Sequence, residues 1–174
     1  PMGAGSQTSF VAAGGYAGSG SPASETWDGS SWTEITEMNT VRWAGGSAGA
    51  DAESFIAFGG NPNTTVTETW NGSAWTEVND MNTARHALAG SGSQTVSGAG
   101  SSTAALAFGG TITPPRTAKT ESWDGSSWTE VADLATDKSS GAGQRGTSAS
   151  NTSTLYAGGK IPSYTTQTEE WSFS

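Results

Sequence analysis

The chain has 174 residues, 33% of them hydrophobic, and its net charge of −9 argues against nucleic-acid and anionic-membrane binding, which need clustered Lys and Arg. No apolar run approaches the roughly 20 residues that cross a bilayer, and no signal peptide is recognisable. The absence of cysteine removes thiolate nucleophiles and thiolate metal sites, and it fits either the cytosol or an environment where the fold needs no disulfides. Because only 33% of the residues are hydrophobic, we expect the eight Trp residues to supply much of the buried surface.

One short pattern returns three times along the chain. Residues 27–34 read WDGSSWTE, residues 70–77 read WNGSAWTE, and residues 123–130 read WDGSSWTE again. A diglycine that closes an apolar run begins at Gly14, Gly59, Gly109 and Gly158, with spacings of 45, 50 and 49 residues. Short strands with a period of about 40–50 residues are typical of propeller blades.

In chain order, the pattern predicts one repeat domain over residues 1–174, with repeats at about 1–38, 39–81, 82–134 and 135–174. The first repeat begins near Gly3 and lacks the start of its inner strand. The third repeat carries an insertion around residues 91–102. The last repeat has no fourth strand, so residues 169–173 are expected to form a sheet edge with unpaired backbone groups.

The second repeat predicts four strands most clearly. Residues 43–49 form a Gly/Ala-rich inner strand, and Ser54–Phe58 is a continuous apolar run typical of a strand buried on both faces. Gly59 and Gly60 end that strand, because glycine tolerates the positive φ of a sharp turn. Residues 66–70 and 74–78 are the third and fourth strands.

The third and fourth strands of each repeat are predicted to form a hairpin around Asn-Gly or Asp-Gly. A two-residue turn places Glu25 opposite Trp32 and, in the third repeat, a Lys opposite a Glu. A four-residue loop places Trp27 opposite Trp32 but also sets Glu25 against Glu34, and facing like charges are unfavourable. We therefore expect the two-residue turn, and either register puts both Trp side chains on the same face.

The repeats resemble kelch repeats in four features. A diglycine follows the second strand, an aromatic residue stands in the third, a Trp opens the fourth, and an Arg starts the next repeat. Arg42 and Arg85 fill the last position, and Lys138 replaces them in the final repeat. The sequence of residues 82–85 and 103–110 is also similar to kelch-type repeats of marine phage structural proteins. The resemblance implies an all-β, kelch-like β-propeller of about four blades, the first and last trimmed, which closes alone, pairs with another copy or belongs to a larger propeller.

Catalytic chemistry of the related families finds no support in the sequence. The kelch-type copper oxidase of galactose needs a cysteine and two histidines, whereas this chain has no Cys and one His, His86, which we expect to be structural or exposed. The repeated motif is one residue short of the sialidase Asp-box. The recurring Glu25, Glu68, Glu121 and Glu169 are expected to share one environment, whereas a catalytic acid and base need different environments. We expect no enzyme, no metal and no cofactor.

The repeated residues are interpreted as scaffold, and the loops that vary between repeats as the candidate binding region. The expected scaffold residues are Trp27, Trp32, Trp70, Trp75, Trp123, Trp128, Trp171, Arg42 and Arg85. The variable loops lie at residues 16–23, 61–65, 111–118 and 160–166, between the second and third strands. Side chains in or beside them that can stack or donate hydrogen bonds are Tyr16, Asn63, Arg116, Lys119, Lys160 and Tyr164.

The leading hypothesis is a non-catalytic structural or adhesion propeller, extracellular or associated with a virion, that presents loops to a protein or a glycan. A cytoplasmic location stays open. We also expect a homo-oligomer or a part of a larger assembly, without nucleic-acid binding or membrane insertion. Two alternatives remain, a glycan-active enzyme with a pocket on the central axis and a cytosolic kelch adaptor that binds a peptide.

Overall fold

The computed structural model describes residues 1–86, 97–112, 115–143, 153–161 and 163–172, and this part of the chain is all β-structure without helices. The first sheet contains β1 (Met2–Gly5), β2 (Phe10–Tyr16), β3 (Gly20–Trp27) and β4 (Trp32–Ile35). The second contains β5 (Gly46–Asp51), β6 (Ser54–Phe58), β7 (Thr67–Trp70) and β8 (Trp75–Val78). The third contains β9 (Ser97–Ser101), β10 (Ala104–Phe108), β11 (Thr120–Trp123) and β12 (Trp128–Val131). The all-β prediction is confirmed for these residues.

The fourth sheet has three described strands. They are β13 (Ala142–Gly143), β14 (Ser153–Ala157) and β17 (Thr168–Ser172), in the spatial order β13-β14-β17. A separate small hairpin of β15 (Lys160–Ile161) and β16 (Ser163–Tyr164) lies between β14 and β17 in the chain. Each of the other three sheets is an antiparallel meander in sequence order. Part of the predicted insertion in the third repeat, residues 91–96, and the side chain of Trp171 lie outside the described residues.

Successive sheets are joined through their first strands. β1 contacts β5, β5 contacts β9, and β9 contacts β13, so the four sheets follow one another side by side in chain order. Within the described ranges they form no closed ring.

The inner strand of the second repeat is shifted along the chain from its predicted position, because it begins at Gly46 rather than at residue 43 and continues to Asp51 rather than ending at residue 49. Ala44 has a φ of 55°, which interrupts extended backbone ahead of the strand. Trp43 instead pairs with Asn61, the residue that follows the diglycine, through hydrogen bonds of 3.3 and 2.7 Å. The connections into the second, third and fourth sheets are in this way attached to the loop of the same sheet.

The predicted two-residue hairpin turn is wrong, because Trp27 lies opposite Trp32 and Glu25 opposite Glu34. The Asp28 side chain holds a four-residue loop: its Oδ1 accepts from the amides of Ser30 and Ser31, at 2.8 Å each. The second and third hairpins have the same register.

Facing glutamates do not prevent this register. In the first hairpin both Glu25 and Glu34 are exposed to water, and in the other two hairpins at least one partner is paired with a cation. In the second hairpin Glu68 is buried in an ion pair with Arg42, while the opposing Glu77 is exposed to water. In the third hairpin a diagonal neighbour, Lys119, lies 2.8 Å from Glu130. The four-residue loop also brings the two indoles of each of the three hairpins into contact, with ring centroids 5.4 to 5.6 Å apart and planes tilted by 43 to 44°.

The turns carry a pH-dependent contribution to stability. Hydrogen bonds from the amides and hydroxyls of Ser126 and Ser127, the Ser127 amide foremost, lower the pKa of Asp124 from 3.8 to about 2, and Asp28 behaves alike. A depressed carboxyl pKa stabilises the fold above the unfolded value of about 3.9, and this stabilisation is lost as the pH falls towards 2. We expect the Asp124 carboxyl carbon to titrate near pH 2 by NMR.

Asn71 is the natural control for this prediction, because its amide oxygen accepts the same two backbone bonds, from Ser73 and Ala74, without titrating. Asp124→Asn should therefore keep the turn and remove its share of the acid sensitivity. A midpoint at the ordinary value of 3.8 for Asp124 would contradict the hydrogen-bonding described above.

The first three sheets have two apolar faces each, which we name by direction along the chain. The backward face points towards the preceding sheet, and the forward face towards the next. In β6, Phe55 and Ala57 lie on the backward face, in one buried cluster with Val11 and Ala13 of the first sheet. Ile56 and Phe58 lie on the forward face, in a cluster with Ala105, Ala107, Trp123 and Trp128 of the third sheet. Because side chains alternate between the two faces of a strand, β6 packs against the first sheet and the third sheet at once.

The paired indoles belong to the backward face and depend on the preceding sheet for burial. Trp75 donates its indole N–H to the carbonyl oxygen of Thr36 in the first repeat, at 2.9 Å. Trp128 donates to the hydroxyl of Thr67 in the second repeat, at 3.0 Å. These two side chains are 7% and 6% exposed.

Trp32 differs from the expected core position, because it is 50% exposed. Its partner Trp27 is half-buried and donates its indole N–H to the carbonyl oxygen of Gln7 within its own repeat. The difference has a simple cause: the described residues place no sheet against the backward face of the first sheet.

Candidate binding face

The repeated Arg and Glu form a buried scaffold in the second and third repeats. Arg42 and Glu68 are fully buried with nitrogen and oxygen 3.2 Å apart, and Arg85 and Glu121 lie 2.9 Å apart. Burial lowers the pKa of each Arg to about 10, against the opposing effect of its Glu, so both guanidinium groups remain charged at neutral pH. A charge at this depth is tolerated because it is paired and hydrogen-bonded.

The carboxylates also hold the entry segment of each repeat. Both oxygens of Glu68 accept hydrogen bonds, from the backbone and side-chain N–H groups of Asn39 and the backbone N–H of Thr40. Glu121 accepts the same set from Asn82 and Thr83. With every oxygen engaged, these carboxylates are not available as a general acid or base.

The four recurring glutamates do not share one environment, which corrects that expectation. Glu25 is exposed, whereas Glu68 and Glu121 are fully buried. Glu169 pairs with the buried Lys138 and accepts from the Ala135 amide at 2.7 Å. The lysine therefore replaces arginine in function as well as in position.

The diglycine and the following Arg are linked by close backbone approach. Gly15 donates its N–H to the carbonyl oxygen of Arg42 at 3.1 Å, and Gly60 donates to that of Arg85 at 2.9 Å. Gly14 and Gly59 have φ of 63° and 61°, and a Cβ at either would lie 2.5 or 2.7 Å from the same Arg oxygen. Only glycine fits there, so each Arg bonds its own sheet by its side chain and the preceding sheet by its backbone.

Three of the predicted binding residues each contact the residue that directly follows the Arg or Lys of the next repeat. Tyr16 packs on Trp43 in a tilted ring contact, with centroids 4.9 Å apart and an angle of 46°. Asn63 is hydrogen-bonded to His86, and the Arg116 Nε donates to the Ser139 hydroxyl at 3.2 Å.

These pairs join into one continuous row across all four repeats. The row runs through backbone bridges between Trp43 and Asn61, between His86 and Thr111, and between Ser139 and Lys160, with Thr111 also bridging to Arg116. It ends where the Lys160 ammonium lies 5.8 Å from the ring centre of Tyr164. We call this row the loop face; its side chains are Tyr16, Trp43, Asn63, His86, Arg116, Ser139, Lys160 and Tyr164.

Lys119 does not join the loop face. Its ammonium pairs with Glu130 on the neighbouring hairpin strand, and both side chains are partly exposed. Its backbone carbonyl accepts a hydrogen bond from the buried Arg85. The structure thus separates this residue from the other five predicted binding residues.

Sequence reasoning did not assign Trp43 and Ser139 to the candidate binding region. The signal was available, since Trp43, His86 and Ser139 all stand one residue after the repeated cation and differ from one another. Trp43 and Ser139 were not assigned to the binding region because they lie in the connections between sheets, and only the loops after the diglycines were considered.

His86 is a buried side chain in the middle of the loop face, hydrogen-bonded to Asn63. Its side chain is 5% exposed, and burial lowers its pKa from the ordinary value. The Asn63 carbonyl oxygen accepts from Nδ1, so that nitrogen carries the proton and Nε2 is left with its lone pair. Nε2 has no hydrogen-bond partner within the described residues.

The loop face offers aromatic rings together with hydrogen-bonding groups. Tyr16 and Tyr164 are 60% and 68% exposed, on either side of the polar pairs. Within the described part of the chain, His, Asp and Glu form no cluster of three or more that could hold a metal ion. The same residues contain no long apolar helix able to span a membrane.

Comparison with models of known protein families gives no match for this chain. Comparison with curated proteins finds no similar sequence.

Proposed function

We propose that the chain is a non-catalytic, kelch-like β-propeller module that presents its loop face to a glycan or a protein. One observation carries this proposal: the same scaffold positions recur from repeat to repeat, while the side-chain pair on the loop face changes. The pairs are a tilted aromatic contact, an amide with an imidazole, a guanidinium with a hydroxyl, and an ammonium over a ring. A constant frame with varied loops is the usual arrangement of a binding protein.

The side-by-side order of the sheets supports the propeller. In a propeller, the first strand of each blade lies nearest the central axis, and the first strands here contact one another in sequence. The diglycine-to-arginine contact repeats between the first and second and the second and third sheets, with Gly110 and Lys138 supplying it for the fourth. These three contacts between four successive repeats support a count of four blades.

Glycan recognition is supported by the exposed aromatic rings. The apolar face of a sugar packs on aromatic rings, and hydroxyl groups bond to amide, guanidinium and imidazole groups. Tyr16 rests on Trp43 and is thereby fixed in orientation, which lowers the entropy lost on binding. The resemblance to marine phage repeats supports a place on a virion or another extracellular surface.

The experiment is a glycan array combined with a pull-down, using the wild-type chain and the double variant Tyr16→Ala/Tyr164→Ala. We expect saturable binding without turnover, weakened about tenfold or more in the variant, since each aromatic contact contributes roughly 1 kcal/mol. Lys119→Ala is the matched control, because it removes a partly exposed side chain outside the loop face and should leave binding unchanged.

Three results would contradict the proposal. Chemical turnover of a bound glycan would make the chain an enzyme. Unchanged binding by the double variant would place the site outside the loop face, and capture of one cytosolic peptide partner would favour an adaptor.

A further inference from the structure

The backward face of the first sheet is the uncovered copy of a surface that is buried twice elsewhere in the chain. Counting from the diglycine, Phe10 and Ala12 correspond to Phe55 and Ala57, and to Ala105 and Ala107. The later four residues are fully buried, whereas Phe10 and Ala12 are only partly buried. The indole pair follows the same rule: Trp70 and Trp75 are 3% and 7% exposed, while Trp32 is 50% exposed.

The cover in both buried cases is the forward face of another repeat. Met2, Val11, Ala13 and Met38 cover the second sheet. Ala48, Ile56, Phe58 and Met81 cover the third. The third sheet carries the same forward cluster, in which Leu134 takes the place of Met38 and Met81. The surface that fits Phe10 and Trp32 is therefore already defined: it is the forward face of a repeat of this kind.

We propose that the backward face of the first sheet binds the forward side of the fourth sheet in a second copy of this chain. Forward sides of the first, second and third sheets are occupied by the sheets that follow them, and the described residues form no closed ring. The contact continues an interface that the chain already makes internally. The proposed contact is head-to-tail, because the first sheet of one copy meets the fourth sheet of the other. Two copies can therefore close one ring through two equivalent contacts. The ligand plays no part in this contact.

Polar groups at the edge of the internal interfaces fit this arrangement. Trp75 and Trp128 each donate their indole N–H to an oxygen of the covering repeat. The equivalent Trp32 makes no such bond within the described residues. A second copy would supply the acceptor and bury a ring that is half-exposed, and buried Trp residues dominate the energetics of protein interfaces.

The test is sedimentation equilibrium of the wild-type chain over a wide concentration range, beside Trp32→Lys. We expect a mass of twice 17.6 kDa for the wild type and a dissociation constant at least about 30-fold higher for the variant. Val41→Lys introduces the same charge at a side chain of the second repeat that is 47% exposed and belongs to neither proposed surface, and it should remain a dimer. Circular dichroism checks that each variant is folded, and Trp32→Ala is the second variant if lysine disturbs the sheet.

A wild-type monomer at several hundred micromolar would overturn the proposal, whether its own fourth sheet covers the face or nothing does. A dimer that persists in both folded Trp32 variants would overturn it as well, because the contact would then lie elsewhere.

Discussion

Replacement of Trp75 by alanine is expected to lower the free energy of unfolding by about 3–5 kcal/mol, the range for a buried Trp in a core. The indole is 7% exposed, packs edge-to-face on Phe55 at 5.8 Å and bonds to the Thr36 carbonyl of the preceding repeat. Its removal leaves a cavity between two sheets and one unsatisfied carbonyl. Chemical denaturation at a concentration where the chain is monomeric measures the loss.

Trp32→Ala is the matched control for this substitution, because Trp32 stands at the equivalent position of the hairpin in the first sheet but is half-exposed. Its loss should be smaller than that of Trp75→Ala by at least about 1 kcal/mol, since much of its surface is already in water. Equal losses for the two variants would show that the preceding sheet does not decide how much each indole is buried.

The second large effect is expected at the buried ion pair of the third repeat. Arg85→Met leaves the Glu121 carboxylate fully buried without its cation, and breaking such a pair costs about 3–5 kcal/mol. The Arg85 side chain also bonds the backbone carbonyls of Ala107 and Lys119, which lose their donor. Thermal or chemical denaturation of the variant measures the effect.

Two controls separate burial from charge in this experiment. Lys119→Met removes an ion pair with Glu130 that is largely exposed, and exposed pairs contribute roughly 0–1 kcal/mol. Arg85→Met combined with Glu121→Gln should recover part of the loss, because the uncompensated charge is gone. If Arg85→Met and Lys119→Met cost the same, the buried pair is not part of the scaffold.

Much of the fold was predictable because repetition averages out local ambiguity. The diglycines located the end of the second strand in the second, third and fourth sheets, whereas β2 of the first sheet continues through its diglycine to Tyr16. Ser54–Phe58 was recognisable as a strand buried on both faces. The role of Arg42 and Arg85 followed from their recurrence, and the structure supplies the carbonyl and carboxylate partners. A feature present in every repeat must satisfy the same neighbours each time.

Details decided by single side chains were not predictable in the same way. The hairpin register depends on the Asp28 carboxylate, which accepts two backbone amides and so stabilises a four-residue loop. The like-charge penalty that favoured the shorter turn is absent where Arg42 lies beneath Glu68. The first contact is a side-chain bond inside the loop, which strand pairing does not reveal, and the second comes from a residue outside the hairpin.

The candidate binding face was only half visible in the sequence. Tyr16, Asn63 and Arg116 stood out as loop residues, but their partners belong to the next repeat and are separated from them by more than twenty residues. Contacts between repeats depend on how the sheets stack, and one repeat read alone contains no record of that stacking.

Oxidative footprinting of the Trp side chains, read by peptide mass spectrometry, tests most directly whether the repeated indoles are scaffold. At concentrations where the chain is monomeric, we predict rapid modification of Trp32 and strong protection of Trp70, Trp75, Trp123 and Trp128. Modification of Trp75 and Trp128 as fast as that of Trp32 would contradict this prediction, and it would make the repeated indoles, rather than the loop face, the surface on which a sugar could stack.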